Sequence, residues 1–317
     1  MTSLVGNEAA RGAIEAADAA GNLHHAWLIT GAEGLGKASF ARTAAERLLA
    51  RAANDMAGRT AAMIAAGAHP DYRVLARLPV DADKPEKGTA RSITIGQVRG
   101  LGPMLGIKPS MSDRRVIVID AIDDLERPAA NALLKSLEEP PAGTIFLLVS
   151  HAPGRLLPTI RSRCRLLRFD VLREGEMRTV LRSAVPKATE AELAALIRAG
   201  AGSPGRALRF AGLDLAAIET ALEAIARGGD GDTQHRVKLS KALSPKAAQP
   251  RYEAFLERVP AFIAEQARAL RGEGLREALD AYAAATDLAR ASLAQSLDAA
   301  TTTFEMGGYV ARLARAR

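Results

Sequence analysis

Short apolar runs and amphipathic stretches alternate through the first half of the chain. The apolar runs predict buried strands at residues 26–30, 72–75, 116–119 and 145–149. The last two are continuous apolar runs, which is typical of parallel strands covered on both faces. Residues 129–137, between the last two runs, have helical spacing, so strand, helix and strand form a βαβ unit. The pattern predicts an α/β fold with a doubly wound parallel sheet.

After residue 169 the strand pattern stops and only helices are predicted. Three short helices and then four longer ones are expected at residues 174–184, 189–199, 204–211, 216–227, 234–243, 251–270 and 275–297. Pro260 is expected to kink or split the sixth of these helices, because proline lacks the backbone N–H. Apolar residues from Leu275 to Leu293 follow the 3.6-residue repeat in the last helix. The polar segment 81–89 is expected to be a mobile surface loop.

Composition narrows the class of protein. Apolar residues make up 48% of the 317-residue chain, and no apolar run approaches the roughly 20 residues that cross a bilayer. The first residues lack the basic start and apolar stretch of a signal peptide, so a cytoplasmic protein without membrane contact is expected. The lone cysteine, Cys164, excludes an internal disulfide and a cysteine-cluster zinc site. The net charge of +7 fits either a phosphate-rich partner or an ordinary basic surface.

The segment that follows the first strand has the spacing of a phosphate-binding loop. Its sequence is GAEGLGK, with glycines at Gly31, Gly34 and Gly36 and a lysine at Lys37. Glycines let the backbone N–H groups turn toward phosphate oxygens, and the lysine would neutralise the β and γ phosphates. The next residue should carry a hydroxyl for Mg²⁺, but it is Ala38. Magnesium therefore has no ligand from this loop.

The third predicted strand ends in a second incomplete motif. Asp120 closes the apolar run VIVID, but Ala121 stands where a glutamate would activate the attacking water. Loss of a general base costs roughly 10²–10⁴ in rate. Asp123 and Asp124 are expected to begin the next helix as N-terminal carboxylates. Two gaps in one site predict that the chain hydrolyses no ATP and requires no cofactor, while residual ATP or ADP binding stays open.

Several further motifs resemble one family in the order in which that family carries them. They are NALLKSLEEPP at 131–141, IRSRC at 160–164, LHHAWLITG at 23–31 and HPDYRVL at 69–75. With the phosphate loop, they resemble the AAA+ subunits of bacterial DNA polymerase III clamp loaders. The delta-prime type fits better than the gamma type, since an intact site is expected of gamma. The resemblance implies an AAA+ domain at 1–167, a three-helix lid at 168–212 and a helical collar for oligomerisation at 213–317.

The resemblance also implies roles and partners. Arg163, with Ser162 beside it in the SRC motif, would be an arginine finger that acts in trans on a neighbour's nucleotide. Arg99 would contact DNA phosphate. The implied partners are the gamma/tau and delta subunits, and through them the sliding clamp and primed DNA. The zinc site of many members is not expected, because residues 52–69 contain no cysteine. The lid's sensor arginine is displaced by one position, to Arg206.

Other interpretations of the same residues stay open at this point. The chain could be an ATP-hydrolysing clamp-loader subunit of the gamma type with unusual substitutions. A small-molecule kinase with a phosphate loop is a third alternative, disfavoured by the SRC motif and the all-helical second half. Arg163 could belong to an ordinary basic surface run with Arg161, Arg165 and Arg168. Lys37 and Arg99 could equally be solvated residues on their helices.

Overall fold

The computed structural model describes residues 4–55, 58–81, 83–84 and 88–314. The chain has two compact units, Met1–Glu176 and Met177–Arg317. The predicted lid and the predicted collar thus fall almost entirely in the second unit, and the division at residues 167 and 212 stays a prediction. The predicted surface loop 81–89 lies partly outside the described residues, at 82 and 85–87.

The first unit contains one parallel sheet of five strands in the order β2-β3-β4-β1-β5. Its strands are β1 (Ala26–Thr30), β2 (Tyr72–Ala76), β3 (Arg115–Asp120), β4 (Thr144–Ser150) and β5 (Arg165–Arg168). The doubly wound parallel sheet and the four predicted strands are confirmed. The fifth strand corrects the interpretation of Arg165 and Arg168 as a plain surface run. These two arginines flank Leu166 and Leu167 in a short edge strand, and the charged ends hid the strand pattern.

Helices cover both faces of the sheet because successive side chains of a strand point to opposite sides. Trp27 and Ile29 of β1 pack into the core on one face, with α1 (Glu8–Ala19), α2 (Lys37–Ala52) and α3 (Arg59–Ala65). Ala26 and Leu28 pack into the core on the other face, with α4 (Ile95–Arg99), α5 (Gly102–Leu105), α6 (Arg127–Glu138) and α7 (Pro158–Arg161). Parallel strands bring their carboxyl ends to one edge of the sheet, where such folds bind ligands. Thr30, Asp120 and Ser150 mark that edge.

The second unit is helical in its described residues, and α8 enters it from the first unit. The helices are α8 (Glu174–Ala184), α9 (Glu190–Gly200), α10 (Pro204–Leu208), α11 (Leu215–Gly228), α12 (Gln234–Leu243), α13 (Gln249–Ala267), α14 (Gly272–Gln295) and α15 (Ala299–Arg312). All seven predicted helices are present. The predicted split at Pro260 is wrong, since α13 continues through it while Val259, Phe262 and Ile263 on both sides are buried.

Helix α14 packs through small residues rather than through its large apolar ones. Ala278, Ala281 and Ala285 are fully buried. Leu279 and Leu293, which follow the predicted helical repeat, are 52% and 58% exposed. The repeat is therefore real but marks the outer face of the helix. Within the described residues, no helix is both long enough and apolar enough to cross a membrane.

Candidate functional site

The phosphate loop joins β1 to α2 and is shaped by two glycines. Gly31 has φ 143° and Gly36 has φ 81°, backbone conformations that favour glycine. A Cβ atom on Gly31 would come 2.3 Å from the carbonyl oxygen of Phe169. A Cβ atom on Gly36 would come 3.0 Å from Cδ2 of Leu4. The loop thus has the curled form that its sequence predicts, and Leu4 lies directly against its last glycine.

Lys37 begins α2 and turns back onto its own loop. Its ammonium group donates hydrogen bonds to the carbonyl oxygens of Gly31 at 2.7 Å and Ala32 at 2.5 Å. The residue is only 3% exposed. Burial lowers the pKa of Lys37 to about 8, although Asp120, Asp123 and Glu33 act in the opposite direction. Lys37 therefore stabilises the curled form of the loop through these two hydrogen bonds.

The positions next to Lys37 and Asp120 carry alanines. Ala38 provides no hydroxyl, and the hydroxyl-bearing Ser39 is exposed to solvent. Ala121, in the place of the expected glutamate, is buried and 4% exposed. Asp120 lies beside the lysine, and burial raises the pKa of its carboxyl group. Lysine and aspartate are present as predicted, but no residue at position 38 or 121 can hold Mg²⁺ or activate water.

Asp123 has a different role from the one predicted from the sequence. It lies in a short 3₁₀ turn at Ile122–Asp124, while α6 begins only at Arg127. Its carboxylate accepts hydrogen bonds from Ser150 Oγ at 2.9 Å, from the His151 N–H at 2.6 Å and from the Ala152 N–H at 3.1 Å. The prediction that it begins the next α-helix as an N-terminal carboxylate is wrong. Its oxygens tie the end of β3 to the end of β4, so they are occupied by structural bonds.

Arg163 follows α7 on the connection from β4 to β5, and both of its terminal nitrogens have partners. Nη1 donates to the carbonyl oxygen of Thr159 at 2.8 Å. Nη2 lies 2.8 Å from Oε1 of Glu138, the last residue of α6. The Arg163 side chain is 34% exposed, so the guanidinium group reaches the surface. Such a group is held in place but remains accessible to a phosphate from outside the chain.

Ser162 and the phosphate loop share one cavity of about 930 Å³. Gly31, Ala32, Arg161, Ser162 and Arg168 are among the residues that line it, whereas Arg163 is not. Ser162 donates its hydroxyl to the Thr159 carbonyl at 3.2 Å. The structure therefore brings Ser162 near the start of the phosphate loop and directs Arg163 elsewhere.

Arg99 lies apart from these residues, at the end of α4. This helix begins with a capping box in which Thr94 and Gln97 exchange hydrogen bonds between side chain and backbone. Arg99 is exposed, and no ion pair joins it to any residue that the structure describes. Its guanidinium group is available for a phosphate, and its role in DNA binding stays a prediction.

Two smaller predictions concern the lid and the zinc stretch. In the second unit, Arg206 Nε lies 3.6 Å from Glu257 Oε1, so this lid arginine already has an acidic neighbour. Residues 56 and 57 of the cysteine-free stretch 52–69 lie outside the described part of the chain. Among the residues that are described, no three potential ligands of the histidine, cysteine or carboxylate type come together.

Glu138 is the partner of Arg163 that the sequence did not reveal. It belongs to the motif NALLKSLEEPP, which helped to identify the family resemblance, but nothing in the spacing connects it with Arg163. The two residues are separated by 25 positions and meet only because α6 and α7 pack together.

Comparisons with known proteins identify a family and several relatives of this chain. Residues 6–173 match the family described as DNA polymerase III, delta subunit. The DNA polymerase III subunit delta' of Pseudomonas aeruginosa is 38% identical over 192 residues, which cover 59% of this chain and 56% of that protein. The subunit delta' of Escherichia coli is 38% identical over 212 residues, covering 65% and 60%. The subunit gamma/tau of Mycobacterium tuberculosis is 32% identical over 208 residues, covering 64% and 35%. The matches span less than two thirds of the length of each relative.

Proposed function

Because this chain belongs to the delta-prime family of DNA polymerase III clamp-loader subunits, we propose that it is a stator subunit that hydrolyses no ATP and completes a neighbour's ATPase site. In this proposal it assembles with gamma/tau-type and delta-type subunits, and the complex loads a sliding clamp onto primed DNA. The observation that carries the proposal is the contrast between two places on the chain. Ala38 and Ala121 can neither hold Mg²⁺ nor activate water, while Arg163 is held at the surface.

The state of the phosphate loop supports the absence of hydrolysis. A phosphate in the loop would compete for Lys37 with the carbonyl oxygens of Gly31 and Ala32. Even then, Ala38 and Ala121 offer neither a magnesium ligand nor a base. These side chains also disfavour the alternative of an ATP-hydrolysing subunit of the gamma type, which needs both groups.

The surroundings of Arg163 support a role in trans. A guanidinium group is planar and always charged, so it binds the oxygens of a γ-phosphate in a defined geometry. Arginine fingers supplied by a neighbour contribute about 10³–10⁵ in kcat. Arg163 has the exposure and the fixed position that this chemistry needs, and Ser162 braces the same turn of α7 through Thr159.

The outer face of α14 supports assembly through the second unit. Leu279, Tyr282, Leu293 and Leu297 are 37–58% exposed on or directly after this helix. Large apolar side chains in a row on one helix face are typical of a protein–protein contact. In the proposed complex this face would pack against the collar of another subunit.

The test is the ATPase activity of a reassembled clamp loader in which only the neighbour of this chain has a competent site. Arg163→Ala is expected to lower kcat there by about 10³-fold, the lower end of the range for fingers in trans. Arg165→Ala is the matched control, because it removes the same charge from the same arginine-rich segment. The guanidinium group of Arg165 packs over the ring of Trp27, 5.2 Å from its centroid, within the chain itself. The isolated chain is expected to hydrolyse no ATP.

Two results would contradict the proposal. If the loader with Arg163→Ala hydrolyses ATP at the wild-type rate while the loader with Arg165→Ala does not, the arginine finger has been assigned to the wrong residue. If the isolated chain hydrolyses ATP and Lys37→Ala abolishes that activity, the chain is an ATPase of the alternative type.

A further inference from the structure

We propose that Glu138 is the positioning residue of Arg163: it fixes the guanidinium group in the orientation in which a neighbour's phosphate meets it. The inference rests on the proposed role of Arg163 in trans and adds a residue to that site. It starts from an ion pair between two separate motifs, one at the end of α6 and the other just after α7.

The geometry of the pair fixes the plane of the guanidinium group. Nη1 of Arg163 is held by the Thr159 carbonyl at 2.8 Å, and Nη2 is held by Oε1 of Glu138 at 2.8 Å. The two anchors come from different helices and engage different nitrogens. One anchor alone would allow the group to rotate about the anchored N–H bond, whereas two anchors define its plane. Nη1 also donates to Ser162 Oγ at a longer distance of 3.4 Å, so Nε and the second N–H bond of Nη2 stay free for an incoming acceptor.

A fixed arginine is a better catalyst than a mobile one. An exposed arginine side chain has many rotamers, and ordering it costs free energy at the moment when the phosphate charge develops. A group that is already ordered removes this cost from the transition state. Of the two contacts of 2.8 Å, only the one to Glu138 is made by a side chain and can be altered without changing the backbone. Glu138 is thus the residue through which this preorganisation can be measured.

Exposure sets the size of the expected effect. The side chains of Arg163 and Glu138 are 34% and 47% exposed, so water and salt screen the pair. Pairs of this kind are worth up to about 1 kcal/mol, which converts to a two- to five-fold change in rate. The expected loss is therefore far smaller than that caused by removing Arg163 itself.

The experiment uses the same reassembled loader with one competent neighbouring site. Glu138→Ala is expected to lower kcat two- to five-fold while KM for ATP stays within two-fold, because orientation matters in the transition state. Glu138→Gln keeps a neutral acceptor of the same length and is expected to give an intermediate kcat. Glu139→Ala is the control, since this exposed neighbour lacks an ion pair among the described residues and the charge change is identical.

The decisive comparison is made on an Arg163→Ala background. There, Glu138→Ala is expected to have no further effect, because it acts only through Arg163. The proposal is overturned if Glu138→Ala behaves like Glu139→Ala, if it raises kcat, or if it lowers kcat equally with and without Arg163. If Arg163→Ala itself is silent, the role in trans fails first and the role of Glu138 fails with it. If Arg163→Ala lowers kcat, and Glu138→Ala lowers kcat only when Arg163 is present, the proposed roles of both residues are supported.

Discussion

A buried arginine in the second unit permits a sharp prediction about stability. Arg258 of α13 is 1% exposed, and both of its partners are glutamates. Its Nε and Nη2 contact the carboxylate of Glu219 on α11, and the Nη2 contact measures 3.2 Å. Nη1 and Nη2 contact Glu265 at 2.9 and 2.7 Å. Arg258 thus connects two helices of the unit and neutralises a glutamate that water cannot reach.

The magnitude follows from what Arg258→Ala leaves behind. Glu219 is 2% exposed, and its nearest remaining cation is Arg198, whose Nε is 3.8 Å away. Breaking a buried ion pair by removing one partner costs about 3–5 kcal/mol. The unit Met177–Arg317 has about 140 residues, for which the entropy of unfolding is roughly 0.3 kcal/mol per degree. The expected fall in Tm is therefore roughly 10–17 °C.

The assay is calorimetry of the full chain, with Arg251→Ala as the control. Arg251 lies 2.9 Å from Asp214, whose side chain is 59% exposed, so its loss should cost no more than about 1 kcal/mol. The double variant Arg258→Met with Glu219→Leu should regain much of the lost stability, because no buried charge is left unpaired. If Arg258→Ala melts within about 3 °C of Arg251→Ala, the network does not carry the stability assigned to it.

Two further predictions concern the first unit. Since burial lowers the pKa of Lys37 to about 8, its Cε NMR signal should titrate more than two pH units below an ordinary lysine, and a midpoint above pH 10 would contradict this. The unfolded chain keeps this proton longer, so stability should rise between about pH 8 and 10.5, and Lys37→Met should abolish that rise. Arg99→Ala should lower the salt dependence of DNA binding by the loader by up to about one unit of slope. Arg59→Ala, an exposed arginine elsewhere in the unit, is the control, and equal slopes for both variants would remove Arg99 from the DNA contact.

The sequence predicted the strands in the interior of the sheet, because burial on both faces requires apolar residues there. β1, β3 and β4 lie in the interior of the sheet, and their residues must be apolar on both faces. β5 is an edge strand, and three of its four residues are exposed. Arginine is compatible with such a position, so composition there does not reveal the strand. Helices α1 and α15 were not predicted either, although the sequence of α1 is clearly amphipathic.

The outer face of α14 shows how the same repeat can have two meanings. A 3.6-residue pattern of leucines predicts one apolar face, but it does not say what covers that face. In this unit the adjacent, alanine-rich face is the buried one, because small side chains let α14 approach its neighbours closely. Leu279 and Leu293 then remain at the surface. The pattern therefore shows which residues share a face of α14, but it does not show whether that face is buried in the unit.

The sequence predicted which residues form the site, but not which hydrogen bonds and ion pairs these residues make. The spacing of Gly31, Gly36 and Lys37 gave the loop, and Ala38 and Ala121 gave its defects. The bonds from Lys37 to the loop carbonyls depend on a balance of partners that no motif contains. A buried ammonium group needs acceptors, and the carbonyl oxygens of the loop itself provide them. The same reasoning applies to Arg163, which takes Glu138 as its partner. In both cases an unpaired charge selects the closest available acceptor. For Lys37 that acceptor lies within its own loop, and for Arg163 it lies at the surface, where a stronger anion from outside can compete.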